Sequence, residues 1–545
     1  MKKWLLVAAA SAALLTGCGK KDDAGKAADG AIKAVEMDLG KLSDISLRSG
    51  NPGKASDALT ALSLDATGTG RVAFGDKNVD GAKATFTNIV ISPDADEDGT
   101  EATIQAGSLV FQGLDMTDAG ATFSRMTLSD ITIVPNDPED AGDADVTIGS
   151  FELTNPSPET AAWVSSLLGN GAPAPFPSVD KLAFDAFTMT DFLVDIHDDE
   201  DTGTVRIAGI NIRGVGDEKM QLASLTGVAF DMIDGEDGPI KFGLANMSVY
   251  GSDYGLIKEI QALGDDPSED AVAATIMGAM SENPVDPPFD AMILEALTFD
   301  GQGITFDLPL YDARIQRDGQ DRMIGQVLKP ARMTLEADAN GGKGGAELAG
   351  MLGQLGYEKM EFLMESVSTY DPDKDIYAFD AGNNYLELVD GMKMSFGGKI
   401  EGYAEYARAS SAALTDLNGN QNSMPSPDFM MDAMSKLVIH GFELQLDDDS
   451  LLDRGFNLYA AQSGEDPDQL KSQIAMYSGM APMFAAQAGI DPDLASEAAT
   501  AFGAFIAEGG TLTLKFDPDT PISIADIEDP TLLTKETLGF SATQK

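Results

Sequence analysis

Aspartates spaced two residues apart are the first residues in this sequence whose type and spacing suggest chemistry. Asp94, Asp96 and Asp98 precede Gly99 in the segment DADEDG. This D-x-D-x-D-G opening is typical of loops that wrap a calcium ion in hard carboxylate oxygens. The twelfth position of a loop that starts at Asp94 is Gln105, whereas an EF-hand loop has Glu there. Strand-like sequence lies on both sides of the loop, whereas an EF-hand has helices. Two interpretations stay open: a calcium site of modest affinity, and a hairpin loop kept soluble by its charge.

Histidines and further acidic turns offer little additional chemistry. Asp371, Asp373 and Asp375 repeat the spacing without the glycine, and His197 opens another acidic turn. His197 and His440 are the only histidines, which excludes histidine-rich zinc sites by count and argues against a Ser-His-Asp or Cys-His hydrolase. We expect His440 to be a solvent-facing residue of a strand.

The search for catalytic motifs is negative. The sequence contains no GxSxG elbow, no complete Walker A loop and no GxGxxG after a strand. Ser178 and Lys181 match S-x-x-K, but the match leaves a proline-rich stretch to enter a strand, whereas the motif requires a helix start. No carboxylate pair can be singled out among 89 Asp and Glu. We therefore predict no catalytic residues, no cofactor other than calcium, and a protein that is not an enzyme.

The N-terminus has the pattern of an export signal. Lys2 and Lys3 precede the apolar run from Trp4 to Leu15, which is too short for a stable transmembrane helix. The run ends in LTGC, with the cysteine at Cys18. This pattern resembles the lipobox of bacterial lipoproteins. The resemblance implies a signal peptide over residues 1–17 and acylation of Cys18, which makes membrane attachment effectively permanent.

Composition and cysteine count constrain the rest of the chain. Gly19 follows the cysteine where an Asp would favour inner-membrane retention, so the resemblance implies the outer membrane, facing the periplasm, with the cell surface as the alternative. Cys18 is the only cysteine, so no disulfide is available. The formal net charge is −53, which makes nucleic acid a very poor partner. We expect the membrane, through the acyl chains, and a lipid or another envelope protein as partners.

Alternation of apolar and polar residues dominates the body of the protein. A polar, Gly- and Ala-rich stretch over 18–34 predicts a flexible tether. Beyond it, period-two segments predict antiparallel strands with one face buried. These segments are 107–117, 123–134, 204–214 and 222–232.

Four strand segments resemble one another and suggest an irregular internal repeat. They begin at Asp180, Asp290, Glu358 and Ser435. In three of them a small residue precedes an aromatic residue or Leu, which predicts a bend that changes the face to which the alternation points. The predicted bend positions are Ala186, Ala296 and Gly441.

Ala-, Leu- and Met-rich segments upstream of these strands predict helices. The helices are expected near 157–171, 255–282, 345–357, 426–434, 466–479 and 491–507, with a closing strand from 510. Proline-rich breakers near 284–288 divide the body into N-terminal (35–285) and C-terminal (286–545) β-rich regions, the latter with helices near 466–507.

These patterns predict a mainly β protein with packed helices (α+β): an elongated, curved antiparallel sheet built from irregular helix-plus-bent-strand repeats. In its succession of strands and bends the body resembles envelope proteins of the AsmA and YdgA type, some of which form lipid-accommodating grooves. We therefore expect a non-enzymatic envelope protein that acts as a binding, scaffolding or lipid-accommodating element. The alternatives are a surface-exposed, calcium-stabilised adhesion module and a hydrolase that uses carboxylates alone.

Overall fold

The computed structural model describes residues 42, 44–64, 71–92, 102–135, 144–170, 174–197, 201–217, 219–234, 238–253, 285, 287–408, 434–487, 491–525 and 534–545. Most of them belong to one large antiparallel sheet of 21 strand segments. The first segments are β1 Val72–Ala73, β2 Asp76–Asp80, β3 Lys83–Ile91, β4 Ala102–Gln112, β7 Arg125–Pro135, β8 Ala144–Thr154, β9 Phe184–His197, β10 Asp201–Gly216, β11 Lys219–Asp234 and β12 Gly238–Asp253. The sheet continues with β13 Ala291–Gly301, β14 Ile304–Arg317, β15 Met323–Ala337, β16 Lys359–Asp371, β17 Ile376–Phe379, β18 Tyr385–Leu388, β19 Met392–Glu401, β20 Val438–Asp448, β21 Gly510–Phe516, β22 Ile522–Ser523 and β23 Ser541–Gln544.

The described chain also contains a separate hairpin and eight helices. The hairpin consists of β5 Asp115–Thr117 and β6 Gly120–Thr122. The helices are α1 Ala55–Ala61, α2 Pro158–Leu168, α3 Lys343–Gln354, α4 Leu451–Ser463, α5 Pro467–Ser478, α6 Ala481–Gln487, α7 Pro492–Glu508 and α8 Lys535–Leu538. Residues 403–408 are also helical.

The sheet is a meander, because strands that follow one another in the chain also pair. From β7 to β16 each strand pairs with the next in sequence. The pair β12–β13 spans residue 285, where the sequence suggested a division, so the sheet itself is continuous across that point. All strand pairings within the described chain are antiparallel, as the period-two sequence pattern predicts.

The alternation gives the sheet one apolar and one polar face. Cross-strand partners lie on the same face, so the register shows which side chains share it. On the apolar face one register row runs Phe86, Leu109, Leu128, Phe151, Met189, Ile210, Leu225, Met247, Leu294 and Tyr311. At the other end of the sheet the same face carries Met364, Leu386, Met394, Leu446 and Leu512. The polar face carries Ser, Thr and charged residues.

A transverse line of left-handed residues, here named the crease, crosses the apolar face. In every second strand from β3 to β13 one residue has a positive φ: Asn88, Asp130, Asp191, Gly227 and Ala296. The strands between them place Gly107, Gly149, Ala208, Ala245 and Pro309 beside these residues. A Cβ at Gly107 would lie 3.1 Å from Cβ of Asp130, which explains the small neighbour.

The crease changes the phase of the alternation while the same face remains apolar. Along β3, Phe86 is followed by Ile89 as the next buried residue, three positions later instead of two. Asn and Asp tolerate the left-handed conformation because their short polar side chains bond to nearby backbone groups. The crease therefore lets each strand bend without exposing its apolar residues on the polar side.

The N-terminal strands of the sheet are covered by an apolar layer. Residues of α1 and α2 join the apolar face of β3 to β8 in one core, which includes Phe111 and Phe123 with 0% exposure. Ser157 accepts a hydrogen bond from Thr160 N–H (3.1 Å), which starts α2, and Pro158 is its first residue. The Arg71 guanidinium donates to three carbonyls at the end of α2. The helix is thus capped at both ends and held over the sheet.

A second layer covers the C-terminal end of the same face. Ala501 and Phe505 of α7 pack with Leu512 and Ala542 of the sheet and with Phe540. Asp491 begins α7 by accepting a hydrogen bond from Asp493 N–H (2.9 Å). The two layers therefore close the apolar face at both ends of the meander.

The polar face contains a buried ion-pair cluster. The side chain of Asp312 on β14 is 6% exposed and accepts two hydrogen bonds from Arg314, at 2.7 and 2.9 Å. Lys329 Nζ lies 2.7 Å from the same carboxylate. Burial opposes ionisation of Asp312, but the hydrogen bonds from Arg314 and Lys329 outweigh it and lower its pKa.

The prediction of a mostly β protein with one large antiparallel sheet is confirmed. Each of the four aligned segments contributes a strand, namely β9, β13, β16 and β20, while their equivalence as repeats stays a prediction. The bend predicted at Ala296 has a left-handed φ, whereas β9 has its left-handed residue at Asp191, not at Ala186. Beside Gly441 the pairing of β19 with β20 shifts register. The predicted helices near 255–282 and 426–434 lie outside the described residues, apart from Met434.

Candidate functional site

The sequence-predicted site residues fall largely outside the described chain. Cys18, the signal peptide and the tether belong to the first 41 residues, and Asp94, Asp96 and Asp98 belong to 93–100; none of these is described. Their roles stay predictions. Within the described ranges, no group of three or more His, Cys, Asp or Glu side chains is arranged to hold a metal ion.

The acidic turn at 371–375 uses its carboxylates in contacts within the protein. Asp371 pairs with Lys374 (2.5 Å), and Asp373 pairs with Arg322 (2.7 Å). Asp375 accepts hydrogen bonds from Tyr370 Oη (3.0 Å) and Ala404 N–H (2.8 Å). These bonds tie the turn to neighbouring strands and a helix, which is a structural role.

The two histidines are separate and engage carboxylates. His440 Nε2 lies 2.8 Å from Glu401 Oε2, and the side chain is only 20% exposed. The expectation that His440 faces solvent is therefore wrong: its side chain lies against Glu401, close to the register shift between β19 and β20. His197 lies 3.6 Å from Asp145, at the end of β9. Lys181 N–H donates to Ser178 O within a turn, so the S-x-x-K match does not begin a helix.

Carboxylates converge in a depression of about 420 Å³ on the polar face. Its lining includes Asp380, Lys393, Ser395, Glu443 and Asp447. Lys393 Nζ also lies over the ring of Tyr385, 3.8 Å from its centroid. The neighbouring carboxyl group of Asp448 has a pKa raised by burial, but it accepts a hydrogen bond from Leu452 N–H (3.0 Å) near the start of α4. Asp448 therefore contributes to helix capping.

The largest unexplained feature is the apolar face between the two covering layers. On β11 to β14 a register row consists of four phenylalanines: Phe230, Phe242, Phe299 and Phe306. The row continues to Val205 and Val194 on one side, and to Leu335 and Met360 on the other. A parallel row carries Ile207, Val228, Leu244, Leu297 and Leu308. We name these two rows the open stripe.

The four phenylalanines are half-buried although they lie in the middle of the sheet. In the second row, Leu244 and Leu308 are buried. Among the residues that the structure describes, no helix or strand packs extensively over β11, β12 or β13, which mainly contact the adjacent strands. The core beneath α1 and α2 reaches only as far as Ile207 and Ile210 of β10.

The dimensions and chemistry of the open stripe suit extended hydrocarbon. The Phe row crosses eight strands, and strands lie about 4.8 Å apart, so the row is roughly 34 Å long. This length exceeds the roughly 15 Å of one leaflet of a bilayer hydrocarbon core. The two rows offer branched aliphatic and aromatic surface without a charged side chain, so the stripe has no group that would recognise a polar ligand.

The motif search did not identify the stripe, although a sequence signal for it exists. A four-residue pattern, in which an aliphatic residue and any second residue precede Phe and Asp, recurs in the sequence. It occurs as VAFD at 228–231, LTFD at 297–300 and ITFD at 304–307, with IKFG at 240–243 as a variant. Each copy places Phe on the apolar face and its neighbours on the polar face. The repeated tetrapeptide indicates register, but it does not reveal whether another layer covers the Phe.

Comparison with known proteins gives a match over the C-terminal part of the chain. A family model described only as an uncharacterized protein matches residues 385–545, which form β18 to β23 and α4 to α8. No curated protein and no solved structure matches the chain. Over the described ranges, no helix combines the length and apolarity needed to cross a membrane.

Proposed function

We propose that this chain is a non-enzymatic, lipid-anchored envelope protein that accommodates lipid acyl chains on its open stripe. The observation that carries the proposal is a charge-free apolar face, several strands wide, that no described helix or strand packs over at β11, β12 and β13. Soluble proteins seldom expose contiguous apolar surface of this extent unless it contacts a partner, a ligand or a membrane. Hydrocarbon is the favoured ligand because the stripe lacks polar anchors.

The proposal includes the remaining expectations from the sequence. Cys18 is acylated and anchors the chain at the outer membrane, with the body in the periplasm. The sheet is elongated and curved, and it consists of irregular helix-plus-bent-strand repeats of the kind that the resemblance to AsmA and YdgA proteins suggests. Free energy favours acyl contact, because each buried methylene contributes about 0.8 kcal/mol.

Site-specific photocrosslinking in the full chain tests the proposal. A photoreactive phenylalanine analogue replaces Phe299, on the stripe, or Thr298, its neighbour on the polar face. After irradiation in cells, mass spectrometry of the digested protein is expected to show lipid adducts at position 299 and none at 298. The two positions share strand and local sequence, so Thr298 controls for non-specific labelling.

Two outcomes would contradict the proposal. Equal labelling at both positions would mean that the lipid contact is non-specific. A crosslink from position 299 to another part of the same chain, such as residues 254–284, would mean that the protein covers its own stripe. Extraction with organic solvent before native mass spectrometry provides a second readout, since bound lipid adds mass that extraction removes.

A further inference from the structure

A second apolar surface lies on the outer helices near the C-terminus. Large apolar side chains that are exposed concentrate between residues 474 and 484, and we name this group the helical tip. Its members are Ile474, Met476, Tyr477, Met480, Met483 and Phe484. Tyr477 is 61% exposed and Phe484 56%. None of the residues of α6, which carries Met483 and Phe484, is buried.

The helical tip rests on a firmly held support. Both α5 and α6 pack against α7, and α7 packs against β21 and β23. Phe505 and Ile506 of α7 are buried, so the inner side of this layer belongs to the core. The exposed side chains therefore project from a helix layer that is fixed to the sheet, and their exposure does not result from a missing core contact.

The helical tip lies within a stretch of sequence that carries no charge. From Ser472 to Ile490 the sequence contains no Asp, Glu, Lys or Arg, although 23% of all residues are charged and the net charge is −53. On one side, Lys471 pairs with Asp453. On the other, Asp491 accepts a hydrogen bond from Lys535 N–H (2.8 Å). The nearest charges are thus engaged within the protein.

We infer that the helical tip inserts into the interfacial region of a lipid bilayer. A protein that binds so acidic a chain is expected to present basic residues to its carboxylates. The helical tip has no carboxylate for such residues to contact. Met, Ile, Tyr and Phe without charge are suited to the boundary between headgroups and acyl chains, where aromatic rings with a polar edge are enriched. Because the tip carries no carboxylate, an acidic chain meets little electrostatic repulsion when it approaches a membrane with this surface.

The absence of basic residues gives the interaction an unusual dependence on lipid charge. Helices that bind membranes through Lys and Arg prefer anionic lipids and dissociate as salt increases. Here the anionic body opposes binding to anionic vesicles, so zwitterionic vesicles are preferred. Added salt screens the repulsion and strengthens insertion into anionic vesicles.

Fluorescence quenching by brominated lipids tests the inference on the full chain reconstituted in vesicles. Both native tryptophans are first replaced (Trp4→Phe, Trp163→Phe), and a single tryptophan is then introduced as Phe484→Trp. The control is Ile233→Trp on β11, which replaces a side chain of the same 56% exposure. Because bromine on the acyl chains quenches only nearby indoles, the quenching at 484 is expected to exceed that at 233 by about fivefold or more.

Charge variants and lipid composition complete the test. Met483→Glu in the Phe484→Trp chain is expected to abolish most of the quenching, whereas Asn457→Glu, an equal charge change on an exposed position of α4, leaves it unchanged. Quenching in phosphatidylcholine vesicles is expected to exceed that in phosphatidylglycerol vesicles, and the difference is expected to shrink as salt increases.

Three results would overturn the inference. They are equal quenching at 484 and 233, insertion that prefers anionic vesicles and weakens with salt, and a crosslink through position 484 between two copies of the chain. The comparison of Phe484→Trp with and without Met483→Glu is independent of lipid on the open stripe, because position 484 lies on α6. Position 233 lies on β11, so lipid on the stripe raises the quenching at 233 and leaves that at 484 unaffected.

Discussion

The covered strands β3 to β8 and the open strands β11 to β14 present the same face of one sheet to different surroundings. Phe111 and Phe123 are fully buried beneath the layer formed with α1 and α2. Phe230 and Phe299 occupy positions on the apolar face comparable to that of Phe111, yet they are half-buried. Residue type and alternation are the same in the two regions. The difference arises from the segments between strands, which supply a covering layer in one region, whereas within the described chain none lies over β11 to β13 and only α3 contacts β14.

The two regions of the sheet contribute differently to stability. Burial of apolar surface contributes about 25 cal/mol per Å². An apolar residue in the covered region buries more surface than one in the open region, so it contributes more to the hydrophobic stabilisation. Within the described chain, the open region forgoes part of this contribution, because its four phenylalanines are only half-buried. The same alternation therefore produces a core where it is covered and a candidate binding surface where it is not.

Matched truncations give the largest expected difference between the two regions. Phe111→Ala is expected to lower the free energy of unfolding by about 3–5 kcal/mol, because it creates a cavity in a closed core. Phe299→Ala is expected to cost about 1–2 kcal/mol, since solvent already reaches the ring. Urea unfolding of the two variants measures both values. Equal losses would show that Phe299 is covered as tightly as Phe111, and the comparison would fail.

The ion-pair cluster on the polar face provides a second test. Asp312→Ala leaves Arg314 and Lys329 without their buried partner, and we expect a loss of about 3 kcal/mol. Asp312→Asn, which keeps the shape but not the charge, is expected to lose less. If both variants unfold like the native chain, the cluster does not stabilise the open half of the sheet.

The lowered pKa of Asp312 also predicts a pH dependence. The folded state holds this pKa below its ordinary value of 3.8, so the stabilisation is fully present above that value. It is lost as the pH falls through the folded value, when the carboxylate becomes protonated. Hydrogen exchange below pH 4 is therefore expected to increase in β14 and β15 more than in β3 and β4. In Asp312→Asn this difference should disappear.

The smallest predicted effect concerns the crease. Gly227 has a φ of +58°, and a Cβ there would lie 2.6 Å from Cβ of Ala208. We expect Gly227→Ala to destabilise the open region by about 1–2 kcal/mol. Gly350 in α3 has open space around it, so Gly350→Ala is expected to stabilise the protein by up to about 1 kcal/mol. Thermal unfolding distinguishes the opposite signs, and a neutral Gly227→Ala would show that the crease tolerates side chains.

Much of the secondary structure could be predicted because its signals are local. The strands β7, β10 and β11 follow from alternation, and α2, α3, α5 and α7 from composition and from polar starts such as Ser157. The helix α4 was not predicted, because Gly455 lies in its middle and lowers the helical propensity of that segment. The bend at Asp191 was missed because the alignment of small residues pointed to Ala186.

The candidate site could not be predicted to the same extent. Alternation indicates which residues share a face, and the recurring VAFD, LTFD and ITFD segments indicate the register of the Phe row. Whether a layer covers that row depends on contacts between residues far apart in sequence, such as Arg71 with the end of α2. The helical tip has a local signal, since the absence of charge from 472 to 490 is visible in the sequence, but its exposure required the packing of α7.

The meander also has a consequence for how the chain folds. From β7 to β16 each strand pairs with its sequence neighbour, so these pairings have low contact order, and loop closure costs little at each step. The sheet can therefore grow one strand at a time from the N-terminus as the chain is synthesised or exported, beginning with the region that carries its own cover. Such vectorial growth leaves only one unpaired strand edge at the advancing end, which limits the surface available for aggregation while the rest of the chain is still emerging.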